Sequence, residues 1–568
     1  MRVNIIGTLS KNTGVSQDIQ ILHGMIAHVL GKEVEVRHIP SFHPQCPEAE
    51  VNFFIEVINP SLFMYASKNI WIPNPEWTYQ TWRPYAKMVD EIWVKTKDAV
   101  KIFSDWDCAP VRYIGWTSID KVMPAQKNYG KAIVPVGKNI WRNPKPIVQA
   151  YMQIQTQHAH IWHALPELHI VHSPAHVQIP EIPESLRSKI VMHAEVMEET
   201  EYDALMKECG LSICTSAAEG FGHAVNETMS TGCIQMLSPI NPFTELTNDA
   251  IWISNKKVTP HPQCLGVLED VDVQSIIEGL VFFLNQTPEQ KTGTSNDMRR
   301  KYEERHQTFV RETSIVLREL FAGIPAFSLE AGLPKEVDLP MISVITITRD
   351  RRPFIPLAKY GIVAQSYPPE KIEWVIVDDG MDQIKDLVSD LPNVKYVLHD
   401  TPLTIGAKRN LAVESASHDI LVMMDDDDVY PNNSFLSRVA HMMAAPRKEC
   451  LFSTTIPCYE IHEKKSFMNV PPITLDMSKR VSEATLCFTR AFWQSQKFPD
   501  EQIAEGDAFI RGREHMCREM SPQDVIVSLV HKKNTSARKP PAMSEPNGCH
   551  YGFSDDLFTL VSEIGDRL

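Results

Sequence analysis

Short apolar runs of four to eight residues recur along the chain, separated by stretches in which apolar positions return every three or four residues. The first pattern marks buried strands and the second amphipathic helices. Their alternation predicts parallel sheets covered on both faces. VNIIG (3–7) is followed by the helical stretch SQDIQILHGMIAHVLG, and then by EVEVRHI (33–39), VNFFIEVI (51–58), IWIPNPEW (70–77), DEIWVKT (90–96) and VRYIGW (111–116). The pattern restarts after about residue 130 with AIVPVG (132–137), ELHIVHS (167–173), KIVMHAEV (189–196), GLSICTS (210–216), CIQMLSP (233–239) and AIWIS (250–254). A charged helical run then gives way to FAGIPAFSLEAGLPKEVDLP, where prolines and glycines mark a linker. The strand pattern resumes with ISVITIT (342–348), EWVIVDDG (373–380), VKYVLHD (394–400), the helix GAKRNLAVESA and DILVMMDDDDVYP (419–431). The expected organisation is therefore two α/β domains (1–128 and 129–322), a linker (323–340), a third α/β domain (341–540) and a tail (541–568) that ends in an amphipathic helix.

Composition narrows the class only a little. The 568 residues are 43% hydrophobic and 22% charged, which is ordinary for globular chains. Asp+Glu is 71 against 56 Lys+Arg, a formal net charge of −15. A general nucleic-acid binder would carry a basic footprint, so none is expected as a partner. The 11 cysteines are scattered without a C-x-x-C pair, which reads as core thiols of a cytoplasmic enzyme. The N-terminus reads as a first strand and not as a signal peptide. No apolar run approaches the ~18 residues of a membrane span; GLVFFL (279–284) has only the length of a core element.

Chemistry concentrates in two places. In the last third, Asp425–Asp428 directly follow the apolar strand ILVMM, so the strand ends at a row of carboxylates. Open α/β sheets bind ligands at that edge. Clustered carboxylates repel unless a cation lies between them, and oxygen donors suit Mg²⁺ or Mn²⁺ shared with substrate phosphates. The competing reading is a solvated acidic turn. Asp378 and Asp379 end another strand. Lys408 and Arg409 open a helix, either to meet a diphosphate or merely to solvate an exposed face. Glu505 or Asp507 in AEGDAFI is a general base or a first-turn helix acid. His531 closes the strand VIVSLVH as a metal ligand or a structural histidine.

The segments ISVITITRDRR, VIVDDG, IGAKRN, VMMDDDDVYP, EGDAFI and VHKKNTSAR occur in the order found in glycosyltransferase family 2, and residues 341–540 resemble those inverting GT-A enzymes. The resemblance implies a UDP- or GDP-sugar donor and a divalent metal. By the family's D-x-D pattern, Asp427 would contact the metal and Asp425 the nucleotide sugar or metal. Asp378 or Asp379 would meet base and ribose. Lys408 and Arg409 would face the diphosphate, and His531 would stand at the metal or diphosphate with Arg538 nearby. The family's base usually lies in an adjacent Glu-Asp pair; here Gly506 intervenes, and Glu505 is preferred over Asp507.

The second place is SAAEGFGHAVNETMSTGC (216–233). A helix starting near Gly222 would offer its N-terminal N–H groups to a phosphate, with Glu219 before it and Glu227 on it. A loop capping a core helix is the plainer reading. This segment resembles the E-x7-E motif of glycosyltransferase family 4 and related retaining GT-B enzymes, over about 1–310. The resemblance implies that Glu219 holds the donor sugar, Glu227 reaches ribose, and Lys138 and Arg142 face the diphosphate without a metal. Trp71, Trp77 and Trp82 are packing residues or line an acceptor groove.

The fold class expected is thus α/β: an N-terminal GT-B fold of two Rossmann-like domains, then a C-terminal GT-A fold with a mixed sheet. The expected function is a bifunctional glycosyltransferase acting on a glycan or other hydroxyl acceptor. Two alternatives stand beside it. The GT-B half could be a degenerate glycan-binding module, or the aspartate cluster could serve a Mg²⁺-dependent nucleotidyltransferase or phosphohydrolase.

Overall fold

The structure is a computed structural model. It describes all residues except 11–12, 44, 180, 195–196, 331–332, 336–337, 446–447, 535–537, 543–551 and 568, and all their side chains except that of Lys32. Parts of the strand expected over 189–196, of the linker, of the VHKKNTSAR motif and of the tail lie outside the described residues. The chain forms two compact units. The first comprises Met1–Ser41, Ala49–Ile58 and Ser67–Ala326. The second comprises Phe42–Glu48, Asn59–Ala66 and Phe327–Leu568.

The first unit holds two six-stranded sheets. In one, the strands run in the order Glu35–Pro40, Arg2–Gly7, Ala49–Ile55, Ala66–Ile72, Glu91–Val94, Val111–Tyr113. The order reverses between Arg2–Gly7 and Ala49–Ile55, both paired in parallel register. Ala49–Ile55 is buried at every position, as its unbroken apolar pattern requires. In the other sheet, all pairs are parallel and the order is Ile251–Trp252, Ile234–Leu237, Cys209–Cys214, Asn128–Gly137, Glu167–His172, Ile190–His193. This is the doubly wound order of dinucleotide-binding folds, with its switch point between Asn128–Gly137 and Cys209–Cys214.

Several sequence expectations are corrected here. The run 70–77 is strand only to Ile72, because Pro73 and Pro75 carry no ladder donor; a 3-10 turn Pro75–Trp77 follows. The run 250–254 shortens to Ile251–Trp252. The hairpin Asn255–Pro260 with Val267–Val271 is antiparallel, and its polar composition hid it. Of the two readings of Trp71 and Trp82 the packing one fits, since they are core residues at 0% and 2% exposure.

The second unit is built on a mixed seven-stranded sheet in the order Val394–Leu398, Ile372–Asp378, Ile342–Thr348, Ile420–Met423, Cys487–Thr489, Cys450–Phe452, Cys517–Glu519. The first four are parallel and Cys487–Thr489 is antiparallel to its neighbours. A small sheet of Lys465–Asn469, Ile456–Glu460 and Ser528–Val530 stands beside it. Buried Arg438 donates to the Met423 carbonyl (2.7 Å) and lies over the Tyr430 and Phe435 rings, so it fixes the end of the strand that leads into the aspartates. The helix Asp555–Arg567 buries Leu557, Val561 and Ile564 against Phe354, Tyr459 and Leu529. No disulfide links the described cysteines. Among the described residues no helix is long and apolar enough to cross a membrane.

One glycine positions the edge where the carboxylates gather. Gly406 lies in the first turn of the helix Ile405–Ser415, and a Cβ there would sit 1.8 Å from the Pro499 carbonyl oxygen. Its N–H donates to the Glu501 carbonyl at 3.0 Å. The Gly406→Ala substitution must push the 499–504 loop outward. It is expected to destabilise the protein by about 2 kcal/mol or more, measurable as a lowered midpoint in denaturant.

Candidate functional site

In the second unit the parallel strands Ile342–Thr348, Ile372–Asp378 and Ile420–Met423 end at one edge. A cavity of about 320 Å³ opens there, lined by Asp425–Asp428, Arg349, Arg351, Lys408, Arg409, Glu483, Glu505 and Arg538, among others. The turn Asp425–Tyr430 is tied down from beneath: the Asp425 N–H donates to the Tyr430 hydroxyl (2.8 Å), and that hydroxyl donates to the Ala484 carbonyl (3.2 Å).

The four carboxylates divide by partner. Asp426 accepts from the Thr348 hydroxyl (2.6 Å) and Arg351 (3.2 Å). Burial, aided by the Asp427 charge, pushes it up to about 7 against Arg351. Asp428 points under the turn, accepting from the Ser528 hydroxyl and the Leu529 N–H, both at 2.9 Å; burial raises its pKa well above the usual range. Asp427 bonds Arg351 and, at 3.2 Å, His531 Nε2. Burial works to raise its pKa, but His531 and Arg351 outweigh burial and hold it at about 2. Asp425 Oδ1 makes no hydrogen bond, its nearest cation being Arg409 at 3.5 Å. Burial raises the Asp425 pKa against the pull of Arg409.

The other expected residues are placed as follows. Asp378 is fully buried and holds its own loop, accepting from the Gly380 N–H (2.9 Å), the Ile384 N–H (3.2 Å) and the Tyr396 hydroxyl (2.6 Å). Its oxygens are thus engaged within the protein. Asp379 is held at about 2: burial would raise it, but Arg349, the Leu403 N–H and Lys408 prevail. Lys408 and Arg409 are not an exposed face. Lys408 pairs with Asp379 at 2.9 Å and Arg409 with Glu505 at 2.9 Å. Asp507 is turned to the Ser478 hydroxyl (2.6 Å) and to Arg511 and does not line the cavity, whereas Glu505 does. Arg538 lines the cavity and donates to the Ser528 hydroxyl.

His531 Nε2 lies 3.2 Å from the Asp427 carboxylate, at the aspartate row. Among the described residues no group of three or more His, Cys, Asp or Glu side chains is arranged to hold a metal. Asp425 and Asp427 both line the cavity, and Asp425 Oδ1 accepts no hydrogen bond. A hard cation that draws its other ligands from water and phosphate fits such a pair. Sequence reasoning passed over Arg349, Arg351 and Glu483. The two arginines stand in RDR directly after a strand, which was the available signal; Glu483 had none.

In the first unit the expected residues cluster at the switch point of the second sheet. Gly222 is the N-cap of the helix His223–Ser230, at φ +94°, and a Cβ there would meet the Phe243 ring at 2.7 Å. Glu219 accepts from Arg142 Nε (2.6 Å) and Nη2 (3.2 Å), the Ser216 hydroxyl (2.8 Å) and Asn139 (3.2 Å). Arg142 is thus paired with Glu219. Lys138 is exposed beyond the strand Asn128–Gly137. Glu227 is buried and accepts from Gln17 at 2.7 Å; burial raises its pKa. Trp77 packs near Trp141, ring centres 6.1 Å apart.

A buried ionic cluster escaped the sequence reading. Asp18 accepts from Lys95 and from His223 Nε2 (2.8 Å), and His223 Nδ1 meets the Ser118 hydroxyl at 2.8 Å. Burial pushes the Asp18 pKa up, but Lys95 and His223 more than offset this and leave it lowered. A depressed folded-state pKa stabilises above the unfolded value near 4, and the contribution is lost as pH falls through the lower folded value. The Asp18→Ala variant strands Lys95 and is expected to cost about 3–5 kcal/mol. Thermal melts across acidic pH should show a flatter dependence for the variant than for the parent.

The Glycosyl transferase family 2 model matches residues 343–493. The matched residues make the second unit a glycosyltransferase domain. No curated protein matches the chain. Among solved structures, a mannosyltransferase from Pyrobaculum calidifontis in complex with GDP-Man and Mn²⁺ is 19% identical, over 35% of this chain and 60% of its own, with a TM-score of 0.27. TarS 1–349 of S. aureus in complex with UDP-GlcNAc is 18% identical over 35% of this chain and 61% of its own, TM-score 0.27. Sucrose-phosphate synthase from Thermosynechococcus elongatus is 10% identical over 57% of this chain and 99% of its own, TM-score 0.40. The chain thus spans about three fifths of the mannosyltransferase and of the TarS fragment.

Proposed function

We propose that the second unit transfers a sugar from a UDP- or GDP-sugar to a hydroxyl of a glycan or glycoconjugate, with inversion. One observation carries this reading: Asp425 and Asp427 reach a cavity at the sheet edge whose other walls are the arginines 349, 351, 409 and 538 and the carboxylates of Glu483 and Glu505. The family match over 343–493 supports a nucleotide-sugar donor. A carboxylate on the wall removes the acceptor proton, and the oxygen attacks the anomeric carbon in line with the departing diphosphate. Arg351 and Arg538 stand where charge grows on that leaving group. When bound, a divalent ion held by Asp425 and Asp427 supplies further charge stabilisation. Family resemblance and the one-edge geometry together favour this over nucleotidyl transfer or phosphate hydrolysis.

For the first unit we propose a GT-B-type architecture in which Glu219 and Glu227 flank the sugar-nucleotide position, with retention of configuration. The buried Arg142–Glu219 pair favours a second reading, a glycan-binding module without turnover, since it engages both the expected anion-binding cation and the expected sugar-binding carboxylate. Two full-chain variants separate these. With a panel of UDP- and GDP-sugars, with and without Mn²⁺, Asp427→Ala is expected to lower Mn²⁺-dependent turnover by about 10²-fold or more. Glu219→Ala should abolish a second, metal-independent product if the first unit is catalytic, and change no product if it only binds. Release of sugar 1-phosphate or inorganic phosphate in place of glycoside would overturn the transferase reading.

A further inference from the structure

The cavity holds two carboxylates across from the aspartates, and they differ in what occupies them. Glu505 is buried, and its Oε1 is taken by Arg409 at 2.9 Å. The same guanidinium reaches toward Asp425 at 3.5 Å, so Arg409 links the base side of the cavity to the aspartate side. Glu483 opens the 3-10 turn Glu483–Thr485, is only partly buried, and has no ion-pair partner among the described residues. Its Oε1 accepts a hydrogen bond from the Gly506 N–H, at 3.2 Å.

Gly506 is the reason Glu483 can sit there. A Cβ on residue 506 would lie 2.7 Å from Glu483 Oε1, so a side chain at that position would expel the carboxylate from the helix start. The glycine that interrupts the Glu-x-Asp sequence therefore makes room for an acid from another segment. Ala504, at φ +59°, turns the chain just before it, in a conformation uncommon for a residue with a side chain.

From this geometry we infer that Glu483 is the general base of the second unit, and that Glu505 is a positioning residue that orients Arg409 beside it. The inference rests on the transferase reading above and deepens it. In the step, the acceptor O–H proton passes to the Glu483 carboxylate and the oxygen forms its bond to the anomeric carbon. The bond from that carbon to the diphosphate oxygen breaks with its electron pair on the diphosphate. The charged groups around Glu483 are Glu505 on the helix Glu505–Ile510 and Arg409 on the helix Ile405–Ser415, with Asp425 beyond Arg409. Burial and the Glu505 charge push the Glu483 pKa up to about 7 against Arg409, the range in which a base is both available and strong.

The test uses the full chain with Mn²⁺ and follows hydrolysis of UDP-GlcNAc and GDP-mannose, water standing in for the acceptor, from about pH 5.5 to about pH 8.5. UDP and GDP binding are measured by calorimetry alongside. The parent should show a rate that rises to a plateau near neutrality. The Glu483→Gln variant keeps the Gly506 bond, and should bind the nucleotide within about threefold of the parent while losing about 10²-fold or more in rate and the neutral limb of the profile. The Glu505→Gln variant should turn over more slowly but keep a limb, moved to lower pH, because the charge that raises Glu483 is gone. A Glu483→Gln profile like the parent's, or a flat profile in Glu505→Gln alone, overturns the assignment. Nucleotide binding without turnover of either donor by the parent also counts against it. A parent that neither binds nor hydrolyses overturns the transferase reading itself.

Discussion

Repulsion among four adjacent carboxylates is the constraint on which the second unit depends. An apolar strand delivers Asp425–Asp428 to a sheet edge from which most water is excluded, where like charges cannot all remain ionised without counter-charge. The structure separates them. Asp428 is turned under and bonded to Ser528 and Leu529, and Asp426 is held against Thr348. All four line the cavity, and Asp425 and Asp427 have Arg409, Arg351 and His531 as partners. The four charges are thus divided among separate partners. The arginines that pair with these carboxylates also line the cavity that an anionic donor would enter.

The first unit also pairs its buried charges. Arg142 with Glu219, and Lys95 and His223 with Asp18, form closed sets within the protein. A cation committed to a buried carboxylate can turn to a ligand only by leaving that carboxylate bare, which costs several kcal/mol. In the second unit comparable pairs, Arg409 with Glu505 and Arg351 with Asp427, line the cavity, so the same cost attaches to freeing a cation there.

Much of this was legible in the sequence because buried parallel strands announce themselves. VNFFI, LSICT and VITIT are nearly continuous apolar runs, and each is a strand in the structure. The residues directly after such strands, among them Asp425, Asp427 and Glu219, were found for the same reason. The losses have equally definite causes. Short strands such as Cys450–Phe452 and Cys517–Glu519 are too brief to show a period. The Asn255–Pro260 hairpin strand is largely exposed and polar. Asp378 ends a strand as Asp379 does, yet turns inward to its own loop, a choice that depends on Tyr396 from the next strand. Glu483 was invisible because it arrives at the cavity from a turn with no motif, through a gap left by a glycine.

The interrupted composition of the second unit bears on how the chain is made. Residues 42–48 and 59–66 belong to it, and Met64 lies in its core, yet the bulk of that unit begins only at Phe327. During synthesis these two segments emerge early, flanked by strands of the first unit, and their remaining partners are roughly 260 residues away. At about 5–20 residues per second the wait is roughly 13–50 s. Over that interval Met64 is without the core it joins, and the order of assembly runs against the order of translation.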